Sequence, residues 1–306
     1  MSLQMAELSG LINNKTGNQA CRIAARILHK LIWRRISDKA AKGGLKGVRL
    51  ILSFDCDTPE DAASCNWLTE LMRKVGVPPI LAVPGQMLLE KRTAYKEAAA
   101  NGASFINHGF LPHAEKRGNR YWSITFYSEM TEREVADDIK RGKDAVSEIC
   151  GRQPTGFRTP HFGHFQAKRQ LDFLRKALKE TGHSYSSSTI PSDAFWHGPM
   201  HKKEGIWEFP VSGDYSAPFS ILDSWGHISD PSIPVSEDSY FEKLTRPGLE
   251  LAKMEMPALL NYYMDPAHLG GPERLARTLD RLLEAGVVFS TYDKLISEFE
   301  SKEELN

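Results

Sequence analysis

Ile51-Leu52-Ser53-Phe54-Asp55-Cys56-Asp57 is an apolar run that stops on two carboxylates, one residue apart. With Val48 and Leu50 ahead of it, the run carries apolar side chains at consecutive positions, the pattern of a parallel strand buried on both faces. Thr58-Pro59-Glu60-Asp61 follows with the marks of a helix start. Thr58 offers a capping hydroxyl, Pro59 stands where its missing N–H costs nothing, and the acids complement the helix dipole. A strand that feeds a helix this way delivers its last side chains into a binding crevice. Two carboxylates there are costly unless a proton or a cation offsets them, so Asp55 and Asp57 are candidates for a metal site.

Outward from this stretch, apolar runs alternate with helical patterns. Strands are predicted over 79–83, 103–106, 156–160, 184–188, 207–211, 257–263 and 287–290. Leu68, Leu71, Met72 and Val75 form one helix face that Gly76 closes, and a further helix is predicted over 86–100. Thr131 and Glu134 form a capping box for a helix with Val135, Ile139, Val146 and Ile149 inward and Gly151 at its end. Later helices span 166–181 and a stretch marked by Leu275, Leu279, Leu282 and Leu283. About seven such units predict an α/β fold, a distorted or incomplete (β/α) barrel of parallel strands over 47–306. The Pro/Gly/Ser-rich stretch over 212–234 reads as a long loop near the site.

Residues 1–46 read as a basic amphipathic helical extension. Ile23, Ile27, Leu28, Leu31 and Ile36 fall at helical spacing over 20–37 among Arg22, Arg26, Lys30, Arg34 and Arg35, with a glycine-containing linker over 40–47. Two placements fit: a helix packed on the outside of the barrel with a solvated basic face, or one lying on an anionic membrane surface.

Hydrophobic content of 41% and charged content of 25% are ordinary for a globular protein, and the net charge is zero. It is unevenly spread. Residues 1–50 hold ten Lys/Arg against Glu7 and Asp38, so +8, and the rest carries −8. The body therefore gives no electrostatic reason to expect nucleic acid. Cys21, Cys56, Cys65 and Cys150 show no paired metal spacing and fit free thiols in a reducing compartment. No stretch reads as a secretory signal or a membrane span, so the expected location is cytoplasmic, with peripheral contact to the inner membrane face if the extension docks there.

Three strand ends deliver titratable groups to one mouth: Asp55 with Asp57, His108 with His113, and Arg158. Zinc and similar ions take imidazole nitrogen and carboxylate oxygen, and a catalytic site leaves one position open for water. Asp57, His108 and His113 supply that donor set, and Asp55 is left free to accept a proton. The histidines are five apart and would diverge on a helix, so joint ligation needs a loop, which Gly109 and Pro112 favour. Cys56, between the acids, is turned away from both by the strand pleat.

The order of these elements resembles the polysaccharide deacetylase family, the nodulation-type fold in the fourth family of carbohydrate esterases. Ser53-Phe54-Asp55-Cys56-Asp57 looks like its first motif, which implies Asp55 as base and Asp57 as metal ligand. Asn107-His108-Gly109-Phe110-Leu111-Pro112-His113 is similar to the second motif, with one residue more than usual between its two ligand histidines. Arg158-Thr159-Pro160-His161-Phe162-Gly163 looks like the third, whose arginine orients the base. The resemblance covers roughly 48–298 and includes the late strands around Trp207 and Val287.

Two departures stand out. The family's late motif ends a strand on a histidine that protonates the leaving amine, whereas here Asp265 precedes Pro266 and His268 lies three residues on. The acid that supports that histidine is replaced near Tyr185-Ser186-Ser187. The resemblance therefore implies a deacetylase that uses a divalent metal to hydrolyse an N-acetyl group on a sugar, with His268 or Asp265 as acid. The metal would be zinc, or else cobalt, nickel, iron or manganese. His161 and Phe162 are candidate substrate contacts, His164 a rim residue, and a backbone amide near His161 a candidate oxyanion donor. Trp122, Phe126, Trp196, Trp207 and Trp225 offer aromatic faces, none assigned individually. The expected partner is a glycan or glycan precursor, nucleotide-linked or lipid-linked; the oligomeric state is left open. A silent barrel that binds metal or carbohydrate, and an amide hydrolase acting on a non-sugar substrate, are the alternatives.

Overall fold

The computed structural model describes residues 23–229 and 236–303. A helical turn over 23–27 leads into α1 (His29–Lys42), β1 (Val48–Asp55), α2 (Pro59–Lys74), β2 (Ile80–Val83), α3 (Gly85–Glu90), α4 (Arg92–Ala100) and β3 (Ser104–Asn107). A hairpin of β4 (Ala114–Arg117) and β5 (Arg120–Ser123) precedes α5 (Glu132–Cys150), β6 (Gly156–Phe157), α6 (Lys168–Glu180), β7 (Tyr185–Ser186) and α7 (Pro191–His197). The chain continues through β8 (His201–Lys203), β9 (Ile206–Glu208), the hairpin β10 (Gly213–Asp214) and β11 (Ala217–Ile221), and α8 (Glu237–Lys253). It ends with β12 (Ala258–Met264), α9 (Pro272–Glu284), β13 (Val288–Phe289) and α10 (Tyr292–Glu303).

The main sheet runs β12-β1-β2-β3-β6-β7-β9-β8, every pair parallel except β8 with β9. β1 is its spine. Over Val48 to Phe54 it pairs with β12, while its other edge takes β13 at Arg49 and Leu50 and β2 from Ser53 to Asp55. All its side chains but Arg49 are buried, as the apolar run requires. Beyond β9 the chain curls back to β12: Ser212 N–H donates to the Asn261 carbonyl at 2.8 Å, and the Asn261 amide donates to Phe209 and Pro210 carbonyls. The result is the distorted (β/α) barrel expected from the alternation.

Helix starts follow the caps. Thr58 and Thr131 each accept a backbone N–H from N3, and the N3 carboxylates of Asp61 and Glu134 accept the cap's own N–H. Other expectations are corrected. The helix predicted over 86–100 is two, breaking at Lys91. The helix predicted over 20–37 runs instead from His29 to Lys42, past a break at Leu28, so part of the supposed linker over 40–47 is helical; residues 20–22 lie outside the described residues. The stretch over 212–234 contains the β10–β11 hairpin and a wide helical turn at Trp225–Ser229. The hairpin over β4 and β5 and the short α7 carry too little periodic apolar signal to have been foreseen, and α8 runs through Pro247, a residue that usually ends a helix.

Candidate metal and active site

Strand direction puts four chain segments at one mouth. β1 ends on Asp55, β3 leads into His108, β6 into Arg158 and β12 into Asp265. They open on a cleft of about 310 Å³ lined by Asp55, Asp57, His108, His161, Tyr263 and Asp265, among others. Larger hollows of about 560 and 680 Å³ lie on the outer wall around α5 and α6, but they lack this convergence of carboxylate and imidazole.

His108 donates from Nδ1 to the Arg158 carbonyl at 2.8 Å, which fixes its tautomer. The Nε2 lone pair then faces Asp55 Oδ2 at 3.7 Å and Asp57 Oδ1 at 3.8 Å. Those separations are too long for hydrogen bonds, and a lone pair aimed at carboxylate oxygens is unfavourable without a cation between them. His113 presents Nδ1 to Asp57 Oδ1 at 3.1 Å, while its buried Nε2 has no hydrogen-bonding partner among the described residues. Ligand atoms of Asp57, His108 and His113 all lie within 4.8 Å of one another. Bonds of about 2.1 Å at tetrahedral angles separate donor atoms by about 3.4 Å, so the donor set fits a divalent ion such as zinc. Burial, with His113 next in size, lowers the pKa of His108 to about 4. Burial and His161 lower that of His113 to about 3. Both rings are therefore neutral near pH 7, the state in which imidazole binds metal.

The loop that spaces the two histidines is held from below. Asp138 on α5 accepts the backbone N–H groups of Phe110 and Leu111 and the Tyr127 hydroxyl. Gly109 has φ +76°, and a Cβ there would stand 2.3 Å from Asp138 Oδ2, so the turn demands glycine. Asn107 closes the turn by accepting the Gly109 N–H at 3.0 Å. The extra residue between the histidines is thus absorbed in a turn built around one buried carboxylate. Sequence reasoning passed over Asp138 because it is one acid among many on an amphipathic helix.

Arg158 is fully buried and donates to Asp55 Oδ1 from Nη1, and from Nη2 to Ser53, Ser187 and Tyr292 hydroxyls. Tyr292 in turn donates to Asn261 Oδ1 at 2.8 Å. Desolvation pushes the Asp55 carboxyl above its ordinary range; Arg158 and His108 oppose this, while Asp57 and Asp265 add to it. Cys56 is fully buried in the main core cluster, with Leu68, Leu81 and Tyr95 among its members, in keeping with its expected turn away from both acids.

His161 carries φ +44°, and its Nε2 reaches the Ile124 carbonyl at 2.8 Å and the His113 carbonyl at 3.2 Å. Both acceptors are oxygens, so that nitrogen bears its proton and ties the β4–β5 hairpin to the site. Its ring lines the cleft beside Phe126, 4.7 Å between centroids, and Phe162 meets Tyr263 edge-on at 5.3 Å. His164 lines the same cleft. Of the aromatics read from the sequence, Phe126 and Trp225 line the cleft, Trp207 is buried, and Trp122 is 46% exposed. Tyr263 was missed, hidden in an apolar strand pattern.

At the end of β12, beside β1, Asp265 lines the cleft and accepts the Ser224 hydroxyl at 2.7 Å. His268 sits in the turn Pro266–Leu269, with Nδ1 3.4 Å from Asp265 Oδ2 and its ring 5.5 Å from that of Trp225. Asp61 Oδ1 accepts the Ala267 N–H at 2.9 Å and fixes that turn to the helix after the first motif.

Residues 42–185 match the family model described as polysaccharide deacetylase. Over that stretch, just under half of the chain, the sequence is similar to the polysaccharide deacetylase family. The chain matches a candidate polysaccharide deacetylase from Mycobacterium smegmatis at 19% identity and a TM-score of 0.64, covering 84% of this chain and 92% of the other. It also matches the polysaccharide deacetylase Bc1974 from Bacillus cereus at 14% identity and a TM-score of 0.51, covering 81% and 92%. A third match is BA3943, a CE4 family pseudoenzyme from Bacillus anthracis, at 12% identity and a TM-score of 0.51, covering 81% and 65%. At these identities the structures speak for the fold. No curated protein matches the chain. The family-model match spans Asp55 to Arg158 and ends at residue 185, ahead of Asp265 and His268.

Proposed function

We propose that the protein is a metal-dependent hydrolase that removes an N-acetyl group from a sugar in a glycan or glycan precursor. The observation that carries this reading is the facing set of Asp57, His108 and His113, with one His113 nitrogen buried and without a hydrogen-bonding partner among the described residues. A divalent ion there, held by those three side chains, supplies a Lewis acid that lowers the pKa of water toward neutrality and polarises an acyl oxygen. Asp55, pinned by Arg158, accepts the proton from the attacking water. Asp265, at the end of the strand next to β1, and His268, 3.4 Å from it, protonate the leaving amine. His161, Phe162, Phe126, Trp225 and Tyr263 shape the cleft for a ring-sized substrate.

A silent barrel that binds metal or sugar is the second reading, favoured by Asp265 standing where the resemblance places a histidine. Acetate release from a panel of N-acetylated sugars and oligosaccharides, with zinc or cobalt added, separates the two. Release that depends on metal and is abolished by Asp55→Asn supports the hydrolase. Metal-loaded protein that releases no acetate across the panel supports the silent barrel.

A further inference from the structure

α1 and the helical turn before it carry apolar side chains on two faces, and the barrel takes only one. Ile32, Trp33 and Ile36 are buried in the core cluster, and Trp33 stacks on Tyr215 while donating to the Tyr215 carbonyl at 2.9 Å. Ala25, in the turn before α1, is buried with them. Ile23, Ile27, Leu28 and Leu31 face outward, 56%, 76%, 47% and 59% exposed. The apolar residues read from the sequence as one face are thus split, with Ile36 alone of the five packed against the barrel. Nine large apolar side chains are exposed among the described residues, and these four fall within one short stretch, the other five being scattered along the chain. Isolated exposed leucines are ordinary; a cluster of this kind marks a surface that meets something apolar.

Cations flank the cluster. Arg26, Lys30 and Arg34 are exposed, Arg35 lies over the Phe195 ring at 4.6 Å, and Asp38 is the one acid between residues 23 and 43. Burial, then the charges of Arg35 and Lys42, lowers the pKa of Lys39, a sign of the positive field along the helix.

We propose that this face seats the protein on an anionic phospholipid surface, with α1 lying in the membrane plane. Branched aliphatic side chains enter the acyl boundary while lysine and arginine stay with phosphate headgroups. A nucleic acid would satisfy the cations but leave the isoleucines and leucines in water. A second copy packed face to face would set Arg26, Lys30 and Arg34 against their own equivalents. Among the described residues no helix is long and apolar enough to cross a membrane, so attachment is by the face.

Vesicle co-sedimentation of the full chain tests this independently of any hydrolysis. Wild-type protein sediments with phosphatidylglycerol-containing vesicles, stays in solution with pure phosphatidylcholine, and is released by salt. Lys30→Ala with Arg34→Ala weakens binding about thirtyfold, from about 1 kcal/mol per basic residue. Ile27→Ser with Leu31→Ser weakens it about 100-fold or more, from at least about 1.5 kcal/mol per apolar side chain, with an unchanged melting curve. Wild-type protein that ignores anionic vesicles at low salt overturns the proposal, as does an Ile27→Ser/Leu31→Ser variant that sediments like wild type. A wild-type dimer that this variant splits into monomers overturns it in favour of a second copy.

Discussion

On one wall of the mouth, β1, β3 and the 108–113 loop bring Asp57, His108 and His113 together, with each ring or turn tied to buried backbone and to Asp138. Next to β1, its parallel neighbour β12 ends on Asp265, and an imidazole arrives three residues later on a separate turn. Under the proposed function, the first group would hold a cation, which demands donors placed within tenths of an ångström, whereas the second would only present a proton, a task that carboxyl and imidazole groups can share from several backbone positions.

The sharpest way to break the comparison is Asp55→Asn, which keeps the shape of the base but removes its basicity. Acetate release should fall by about 10²–10⁴-fold with metal content unchanged. Loss of metal along with activity would mean that Asp55 is a ligand. A smaller effect is expected from Asp138→Ala, which touches neither metal nor substrate. By freeing the 108–113 loop it should weaken metal binding by about 10–100-fold, read by competition with a chelator. Unchanged affinity would show that the loop keeps its shape without the carboxylate.

The smallest effect concerns the turn after β12 and is read in stability. Burial disfavours charge on His268, but Asp265, with Asp61 and Asp223, outweighs it and raises the pKa. The folded protein then holds this proton more tightly than the unfolded chain. The stabilisation is complete below the unfolded value of about 6.5 and is lost as pH rises through the folded one. The difference in melting temperature between wild type and His268→Asn should therefore be greatest in mild acid and vanish in alkali. A difference that grows with pH would place His268 away from Asp265.

The strand ends were legible in the sequence because each is an apolar run that stops on a titratable group, and Thr58 and Thr131 announce their helices by the acid three residues on. What was not legible depends on contacts between distant segments. Asp138 looks like its exposed neighbour Asp137 until α5 is laid beneath the loop. Tyr292 meets Arg158, and Asn261 meets Tyr292, only when β12 and the start of α10 reach the barrel centre. The two faces of the 23–42 stretch read as one stripe because helical spacing reports periodicity and says nothing of which side the barrel occupies.

The most direct test of the three-ligand centre is metal content, by mass spectrometry of protein purified from zinc-supplemented medium, with His113→Ala and Asp57→Ala beside wild type. One divalent ion per wild-type chain, lost in both variants while their melting curves stay cooperative, is the predicted result. Stoichiometric metal retained in both variants would contradict it.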